Sequence, residues 1–387
     1  MSVQLKRLEA SAYRSLRQVE VRFLPLNVLI GANASGKSTV LDALRFLSEA
    51  AAEGTFLPAV VGRRGGLLHL AWKGQDASRV RLETDFDVEG TLFRWRVTLQ
   101  VTKTGDPPFE LSEEVEHIPA GQPPRTVLRA DRGVGWWWSE KAAKQIELAV
   151  QPGACALSAA SSDASFSARA VAEAVRRWGF FDPSPPHLRR ASRLADDERL
   201  DVSGANLAAR LYWLKEHAPS KFEAIVAAVD DVLGIPFALS FHTPDEEGGP
   251  IYLMQQEPGL KYRVHQVGAS SGTLRMLALM TALIAEDDAG LIGIEEPENY
   301  VHPAAIESFA QHLKQAASTH QLILTTHSPA LLDHFADPAV VFLVRRAQGE
   351  TLVTPEPHPE AIVKALEESG LPLGAFHETQ GFGADGP

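Results

Sequence analysis

Alternation of apolar and polar residues marks residues 79–101 of the chain. It covers residues 79–88, and after a Glu89-Gly90 turn it returns in residues 93–101. Such alternation is typical of strands that bury one face, so it predicts a β-hairpin with one solvated polar face. The polar positions of the first strand are Arg79, Arg81, Glu83, Asp85 and Asp87.

Short apolar runs and longer helical patterns occupy much of the remaining sequence. Residues 27–30, 291–294 and 322–324 are apolar runs with the length of buried strands. Apolar residues recur at helical spacing from Val40 to Leu47 and along residues 170–178, 205–214 and 267–284. A chain that combines buried parallel strands with amphipathic helices is predicted to have an α/β fold.

The charge of the chain is strongly negative. There are 37 Lys and Arg residues against 49 Asp and Glu residues, which gives a net charge of -12. A nucleic-acid backbone repels such a protein, so DNA binding would need a local basic patch or a partner. Arg189, Arg190 and Arg193 are the candidate patch, and we favour a solvated face as their interpretation.

The low cysteine count and the absence of a membrane or signal segment indicate the compartment of the protein. A single cysteine, Cys155, excludes an internal disulfide and a thiolate zinc cluster, and we expect it to be a small core residue. No apolar run reaches the roughly 18 residues of a membrane helix, and the first residues do not resemble a signal peptide. We therefore expect a cytoplasmic protein with no membrane partner.

A phosphate-binding loop is the most specific motif of the chain. Residues 31–38 read G-A-N-A-S-G-K-S, which fits the pattern GxxxxGK(S/T) between a predicted strand and a predicted helix. The backbone N–H groups of such a loop and the helix N-terminus attract phosphate. Lys37 would reach the β and γ phosphates, and Ser38 would bind Mg²⁺. The candidate contacts are Asn33, Ala34, Ser35, Gly36, Lys37, Ser38 and Thr39.

Acidic and imidazole groups follow two of the predicted buried strands. Glu295 and Glu296 come at the end of residues 291–294, and ligands bind at that edge of open α/β sheets. One carboxylate can hold Mg²⁺ while the other orients or deprotonates a water molecule. His327 follows residues 322–324, where its imidazole could hydrogen-bond a γ-phosphate. A polar loop and a surface histidine are the alternatives.

A loop of small residues precedes the predicted helix in residues 267–284. Ser270, Ser271 and Gly272 form this loop, and a Ser at the start would cap the helix. The N-terminus of this helix is suited to a phosphate group.

In this order and spacing the motifs resemble the ABC-type ATPase heads of a known group. It comprises the RecF, structural-maintenance-of-chromosomes (SMC) and OLD (overcoming lysogenization defect) proteins, and this chain most resembles its stand-alone AAA_21-type ATPases. Residues 269–273 resemble the signature loop, residues 294–303 the Walker B motif with the D-loop, and residues 324–332 the His switch. In residues 12–23, Arg14 and Ser15 match an Arg and a Ser that lie near the nucleotide in that group.

The resemblance implies a P-loop NTPase fold, a two-lobed head with a β lobe, and a need for ATP and Mg²⁺. Two copies would pack head to tail, with ATP between the P-loop of one and Ser270–Gly272 of the other. Glu296 would then activate water, Glu295 and Ser38 would hold Mg²⁺, and His327 would sense the γ-phosphate. Many heads have Asp-Glu where this chain has Glu295-Glu296, so turnover could be slow.

The family's other elements are less clearly marked. Gln75 is the candidate for the Q-loop, with a polar turn as the alternative. The run Trp136–Trp138 is either a surface that contacts a partner or a hairpin edge. The predicted segments are an N-terminal ATPase lobe (1–139), a mostly helical insertion (140–235), a C-terminal ATPase lobe (236–345) and a tail (346–387).

Three functions of different classes fit these motifs. We favour an ATPase whose ATP-dependent dimer gates a partner effector, for example a nuclease, in DNA-related or phage-defence function. A nuclease centre in this chain is not expected, because the single D-x-D, Asp85–Asp87, lies on the polar face of the hairpin. The alternatives are a RecF-like DNA-repair ATPase and a sensor or scaffold that does not hydrolyse ATP. The expected partners are a second copy and an effector protein, with only weak DNA binding by the chain alone.

Overall fold

The chain is an α/β protein with two compact units. The computed structural model describes residues 2–52, 57–74, 79–102, 109–193, 199–236, 238–243, 249–335, 340–355, 367 and 369–375. The first unit is Met1–Trp178 with Phe342–Pro357, and the second is Gly179–Val341 with His358–Pro387. These units divide the chain at other positions than the four segments predicted from the sequence, and those segments stay a prediction.

Antiparallel strands dominate the described part of the first unit. Eight of its strands form one sheet in the order β2-β1-β4-β5-β6-β7-β8-β9. Its first nine strands are β1 (Val3–Tyr13), β2 (Leu16–Arg22), β3 (Leu26–Ile30), β4 (Arg79–Val88), β5 (Thr91–Val101), β6 (Phe109–Ile118), β7 (Arg125–Asp131), β8 (Val134–Ser139) and β9 (Lys144–Ala149). Its helices are α1 (Lys37–Ala51), α2 (Leu57–Arg63), α3 (Leu67–Leu70), α4 (Ala156–Ala160) and α5 (Arg169–Arg176).

The second unit combines a parallel sheet with several helices. Its strands are β10 (Gly179–Phe181), β11 (Ser192–Arg193), β12 (Ala238–His242), β13 (Pro250–Gln256), β14 (Val264–His265), β15 (Leu291–Glu295) and β16 (Gln321–Thr326). Its helices are α6 (Pro185–Leu188), α7 (Leu207–His217), α8 (Pro219–Leu233), α9 (Ser271–Ala285), α10 (Ile306–Ala316) and α11 (Pro329–Leu332). Strands β10, β15 and β16 are parallel neighbours, while β11, β13, β12 and β14 form an antiparallel group. The 3₁₀ turns Gln266–Gly268 and Pro303–Ala305 precede α9 and α10.

Two late strands belong to the first unit. They are β17 (Val341–Ala347) and β18 (Glu350–Pro355), and the sheet order runs β3, β17, β18. The predicted tail therefore contains the end of β17 and all of β18, while residues 356–366 and 376–387 lie outside the described residues. Within the described ranges, no helix is both long and apolar enough to cross a bilayer.

The predicted hairpin is confirmed. Strands β4 and β5 pair without a break from Arg79 opposite Gln100 to Val88 opposite Thr91. Glu89 and Gly90 connect them, with φ angles of 50° and 87°. Two successive residues with positive φ form the tight turn whose twist matches a β-hairpin.

The solvated polar face predicted for that hairpin is wrong. Only 3% of Glu83 and 6% of Asp85 is exposed. Asp85 accepts hydrogen bonds from Arg7 Nε at 2.9 Å and Arg94 Nε at 2.7 Å, and Glu83 accepts one from Arg96 Nε at 2.8 Å. Strands β1 and β5 supply these arginines, so each carboxylate is buried with opposite charges. The D-x-D motif is therefore part of a structural ion-pair network.

The tryptophan run lies in β8, which pairs with β7 on one side and β9 on the other. Trp137 is buried and meets Phe166 edge-on with ring centroids 5.8 Å apart. Trp138 lies under the guanidinium of Arg125, 4.0 Å from the ring centroid. The run thus forms one arm of a hairpin, as one interpretation held, but the edge of the sheet is β9.

Three predicted buried strands and the predicted core position of Cys155 are confirmed. Residues 27–30, 291–294 and 322–324 lie in β3, β15 and β16, and Cys155 is a buried core residue, as predicted. Burial and the nearby Glu113 carboxylate raise the pKa of the Cys155 thiol well above its usual value. Strand β10 was not predicted, because three residues give too short a pattern.

We expect Glu83→Gln to destabilise the first unit in a pH-dependent way. Burial opposes ionisation of Glu83, but hydrogen bonds from Arg81, Arg96 and Arg7 outweigh it and lower its pKa from 4.5 to about 2. A lowered pKa contributes stability above pH 4.5 that is lost as the pH falls through 2. The substitution should therefore lower the free energy of unfolding by up to about 3 kcal/mol at pH 7.

Urea unfolding of both proteins between pH 7 and pH 3 measures this difference, which should shrink toward acid. Glu110→Gln is the control, because Glu110 pairs with Arg132 at an exposed site, 3.5 Å away. That change should cost less than about 1 kcal/mol. Equal losses from the two substitutions would contradict the role of the buried network.

Candidate functional site

The P-loop turns tightly around the ammonium group of Lys37. Strand β3 ends at Ile30, and α1 begins at Lys37. The Lys37 side chain is buried, and its Nζ donates to Gly31 O at 2.7 Å and to Ala32 O at 3.2 Å. The loop therefore closes over its own cation, with its carbonyl oxygens as acceptors.

Two glycines of the loop leave no space for a side chain. A Cβ at Gly31 would lie 2.0 Å from Val344 O in β17. A Cβ at Gly36 would lie 2.0 Å from Thr351 Oγ1 in β18, and Gly36 has a φ of 109°. A side chain at Gly31 would displace the main chain of β17, and one at Gly36 would displace the Thr351 side chain. Gly36 also has a conformation that favours glycine.

The tip of the loop faces solvent. Asn33, Ala34 and Ser38 are exposed, whereas Ser35 is buried. Ala34 has a φ of 62°, which a non-glycine residue adopts at some energetic cost. An exposed loop at the N-terminus of a 15-residue helix is suited to bind an anion, as the motif predicts.

Thr351 supports the loop from below and was not predicted as a site residue. Its Oγ1 lies 2.7 Å from Ser15 Oγ and donates to Ser35 O at 2.9 Å. Ser15 Oγ in turn lies 3.3 Å from Thr39 Oγ1. Thr351 is 1% exposed, and only its place in β18 brings it to the loop. No local sequence pattern could have indicated this contact.

Arg14, a predicted nucleotide contact, lies beside α1. Its Nε is 3.1 Å from Asp42 Oδ2, and Asp42 also accepts a 2.6 Å hydrogen bond from Tyr13. Arg14 lines a cleft of about 580 Å³ whose wall includes Ser15, Trp72 and Arg346. Burial, followed by the charge of Asp42, raises the pKa of Tyr13 well above its usual value. The cleft is thus lined largely by cationic and polar groups.

The two glutamates lie where the parallel strands of the second unit end. Glu295 is paired with Thr325 in the register of β15 and β16. The backbone of Glu296 turns sharply with a φ of 43°, and its N–H donates to Thr325 O at 2.9 Å. The strand end and the turn present adjacent carboxylates at the carboxyl edge of the sheet, as predicted.

The structure brings Glu296 and His327 together. His327 Nδ1 lies 3.3 Å from Glu296 Oε1, and both side chains are partly exposed. Asn299 Nδ2 donates to the other carboxylate oxygen, Glu296 Oε2, at 2.7 Å. The Glu296 carboxylate is therefore held between an imidazole and an amide. Asn299 was not predicted, although its place three residues after Glu296 is that of a turn residue.

A buried arginine holds the backbone beneath these carboxylates. Arg275 in α9 is 3% exposed, and its Nη2 donates to Glu295 O and Glu296 O, each at 2.9 Å. Its Nη1 donates to Pro183 O and lies 3.6 Å from Asp182 Oδ1. Burial lowers the pKa of Arg275, and Asp182 opposes that effect. From its sequence context, Arg275 was predicted only as part of a helix.

Glu298 is a buried acid next to the same turn. It is 8% exposed, and its Oε1 accepts a hydrogen bond from Thr326 Oγ1 at 2.5 Å. Among the described residues, its Oε2 has no hydrogen-bond partner. Desolvation raises the pKa of Glu298, while the bond from Thr326 lowers it. Thr326 Oγ1 also accepts a hydrogen bond from Ser328 N at 2.9 Å. Glu298 therefore holds a hydroxyl group that is bonded to the backbone on the other side of His327.

The predicted signature loop lies at the start of α9. Ser270 is its N-cap residue, but its side chain makes no capping hydrogen bond, so that expectation is wrong. A Cβ at Gly272 would lie 2.6 Å from Tyr300 O, which explains a glycine there. Ser270 is exposed, and Ser271 and Gly272 are half-buried. Of the arginines predicted to form a solvated face, Arg190 and Arg193 are exposed, but Arg189 donates to this loop.

The donor chemistry of the predicted magnesium ligands is suitable. Ser38 offers a hydroxyl and Glu295 a carboxylate, and Mg²⁺ prefers oxygen ligands completed by water and phosphate. Among the described residues, no group of three or more His, Cys, Asp and Glu side chains could hold a metal by itself. The Q-loop candidate Gln75 lies outside the described residues.

Comparison with known proteins agrees with this architecture. The sequence model of AAA_21, described as "AAA domain, putative AbiEii toxin, Type IV TA system", matches residues 26–333. No curated protein matches the chain.

Two solved structures share the fold. An SMC head bound to the C-winged helix domain of ScpA is 16% identical, over 90% of this chain and 96% of that one, with a TM-score of 0.56. An SMC head domain with an extended coiled coil, bound to the C-terminal domain of ScpA and derived from Pyrococcus furiosus, is 16% identical. That match covers 95% of this chain and 100% of the other, with a TM-score of 0.51. The fold is therefore that of an SMC-type P-loop head.

We expect Thr351→Val to weaken nucleotide binding and to destabilise the first unit. Valine keeps the shape of threonine but leaves Ser35 O without its hydrogen bond, which costs about 1–2 kcal/mol. Calorimetric titration with ATP and thermal unfolding measure the two effects. Leu352→Ala, at an exposed neighbouring position, is the control. Wild-type ATP affinity in Thr351→Val would show that the support from β18 is unimportant.

Glu298→Gln should raise the stability of the protein at alkaline pH. Because the folded-state pKa of Glu298 is raised, its stabilising contribution is present below its unfolded pKa of 4.5 and is lost as the pH rises. The neutral amide avoids that loss, so its melting temperature should exceed that of the wild type at pH 8 but not at pH 4. Glu307→Gln, on the exposed side of α10, provides the control for loss of one charge. A difference independent of pH would contradict this assignment.

Proposed function

The chain belongs to the AAA_21 family, and from this premise we propose that it is an Mg²⁺-dependent ATPase whose ATP-bound dimer controls a partner protein. The conformation of the P-loop is the observation that carries the proposal. Residues 31–38 place an exposed loop, a helix N-terminus and the ammonium of Lys37 at one point of the first unit. Each of these features favours binding of a polyphosphate.

Nucleotide binding would exchange one set of oxygen acceptors for another. Lys37 Nζ now donates to the carbonyl oxygens of Gly31 and Ala32. Phosphate oxygens carry negative charge, so they are stronger acceptors for an ammonium group than carbonyl oxygens are. Lys37 would turn toward the β and γ phosphates, while the exposed residues Asn33, Ala34 and Ser38 follow the phosphate chain.

Glu296 is the residue that we assign to water activation. Its carboxylate can accept a proton from water, and the bonds with His327 and Asn299 limit its rotation. His327 is partly exposed and can also donate to a phosphate oxygen. Mg²⁺, when bound through Ser38 and Glu295, would neutralise phosphate charge in the transition state. Glu295 is one methylene longer than the Asp that many ATPase heads have at this position, and this difference supports the proposal that turnover is slow.

A second copy of the chain would complete the site. Ser270 is exposed at the start of α9, next to the half-buried Ser271 and Gly272, and a helix N-terminus favours an anion. In the proposed dimer this loop faces the γ-phosphate held by the P-loop of the other copy. Loss of the γ-phosphate would remove the charge that holds the two copies together.

The output of this cycle is proposed to be control of an effector protein. The family description names a putative toxin of a type IV toxin–antitoxin system, and the two SMC heads carry a bound ScpA domain. Both support a role that depends on another protein, such as a nuclease in phage defence. The net charge of -12 repels the DNA backbone, which supports the proposal that the chain alone binds DNA only weakly.

We expect Glu296→Gln to abolish hydrolysis but to keep ATP binding. The amide cannot accept the proton of water, so turnover should fall by roughly 100-fold or more, while the dimer should become stable in ATP and Mg²⁺. Phosphate release and sedimentation velocity, with and without duplex DNA, measure the two effects. Lys37→Ala should lose both hydrolysis and dimer, because it removes the phosphate contact.

Three outcomes would contradict parts of this function. Full turnover by Glu296→Gln would remove Glu296 from the chemistry. A wild type that binds ATP but never hydrolyses it would favour a sensor or scaffold. Strong stimulation of hydrolysis by duplex DNA ends, with tight DNA binding, would favour a RecF-like repair ATPase over control of an effector.

A further inference from the structure

Arg189 is joined by three hydrogen bonds to the signature loop and the residues just before it. Its Nε donates to Val267 O at 3.2 Å, and its Nη2 donates to Ala269 O and to Ser271 Oγ, each at 3.0 Å. One planar guanidinium thus bonds to alternate residues of the segment that leads into α9. A rigid fork of this kind fixes several acceptors at once, which a single ammonium group cannot do.

Gln266 holds the same segment from its other end. It is 1% exposed, its Oε1 accepts from Leu253 N at 2.5 Å, and its Nε2 donates to Arg190 O at 2.6 Å. The backbone after α6 and the signature segment are therefore connected twice, through the side chain of Arg189 and through the carbonyl of Arg190. The second connection does not depend on the Arg189 side chain.

The charge of Arg189 is not balanced within the described residues. The acceptors recorded for its side chain are two carbonyl oxygens and a hydroxyl, and none of the ion pairs in the described ranges includes it. In contrast, the buried Arg210 of the same unit pairs with Glu286 at 3.0 Å. An arginine bonded only to neutral loop oxygens adds positive charge to the loop as well as holding its shape.

The side of the loop away from Arg189 remains open. Val267 is 59% exposed, and Ser270 is also exposed. Because the Ser270 side chain makes no capping hydrogen bond, it does not cover the first N–H groups of α9. With Ser271 Oγ engaged by Arg189, the loop is held on one side and accessible on the other.

We propose that Arg189 is the positioning residue of the signature loop, holding Ser270–Gly272 in the shape that closes over ATP bound to a second copy of the chain. This inference rests on the proposed function. In an Arg189 variant the P-loop of the same copy stays intact. The defect lies in the other ATP site, where the variant's signature loop should close over ATP bound to the P-loop of the second copy.

The test uses Arg189→Ala and Arg189→Lys, with Arg190→Ala as a matched control that removes one exposed charge from the adjacent position. Arg189→Ala should bind ATP with wild-type affinity, which also shows that it folds. Its ATP-dependent dimerisation and its hydrolysis should each fall about tenfold or more, because the loop loses three hydrogen bonds. Arg189→Lys should remain defective, and Arg190→Ala should match the wild type.

Mixing variants separates positioning from a general structural loss. Lys37→Ala cannot hold ATP but keeps its signature loop, whereas Arg189→Ala holds ATP but lacks a positioned loop. In a mixed dimer, one site combines the intact P-loop of the Arg189→Ala copy with the intact signature loop of the Lys37→Ala copy. Hydrolysis by the mixture should therefore exceed that of either variant alone severalfold.

Each remaining outcome decides against the inference in a recognisable way. Wild-type dimerisation by Arg189→Ala, full rescue by Arg189→Lys, or no gain on mixing with Lys37→Ala would overturn it while the proposed function stands. A wild type that neither dimerises with ATP nor hydrolyses it would overturn the proposed function, and this inference with it.

Discussion

Close approach of two late strands to the P-loop is the constraint on which the first unit depends. At Gly31 and Gly36 there is no space for a side chain, because Val344 and Thr351 occupy it. The loop can reach its shape only when its main chain packs directly on β17 and β18. The ammonium of Lys37 then finds its acceptors within the loop itself. The exposed tip follows from this arrangement, since the inner side of the loop is already occupied.

In the first unit the hydroxyl group of Thr351 holds the backbone of a functional loop. In the second unit arginine side chains hold the backbone of the corresponding turns. Arg275 binds the carbonyl oxygens of Glu295 and Glu296, and Arg189 binds those of Val267 and Ala269. The main-chain acceptors of these turns thereby gain charged donors, and Glu296 O also accepts from Asn299 N at 3.1 Å. A guanidinium can satisfy several of them at once, so each functional turn is fixed by one side chain.

Local patterns predicted strands β3, β4, β5, β15 and β16, the P-loop motif and the acidic edge, because each depends on residues close together in sequence. They failed where distant strands decide the environment. Glu83 looked solvated, but β1 and β5 bury it among arginines. Thr351 and Arg275 carried no motif, and their roles depend on which turn each one meets. Glu296 and His327 lie in contact because parallel neighbouring strands end together, while their roles stay a prediction.

The first unit is assembled from both parts of the sequence that flank the second. Thr351 and Ser35, which share a hydrogen bond, are 316 residues apart. During synthesis from the N-terminus, the P-loop leaves the ribosome long before the strands that support it. Its support cannot form until β18 (Glu350–Pro355) has been made, and closing so long a loop slows folding. The supported shape of the P-loop is therefore a late product of folding, because it depends on a residue that is made 316 positions later.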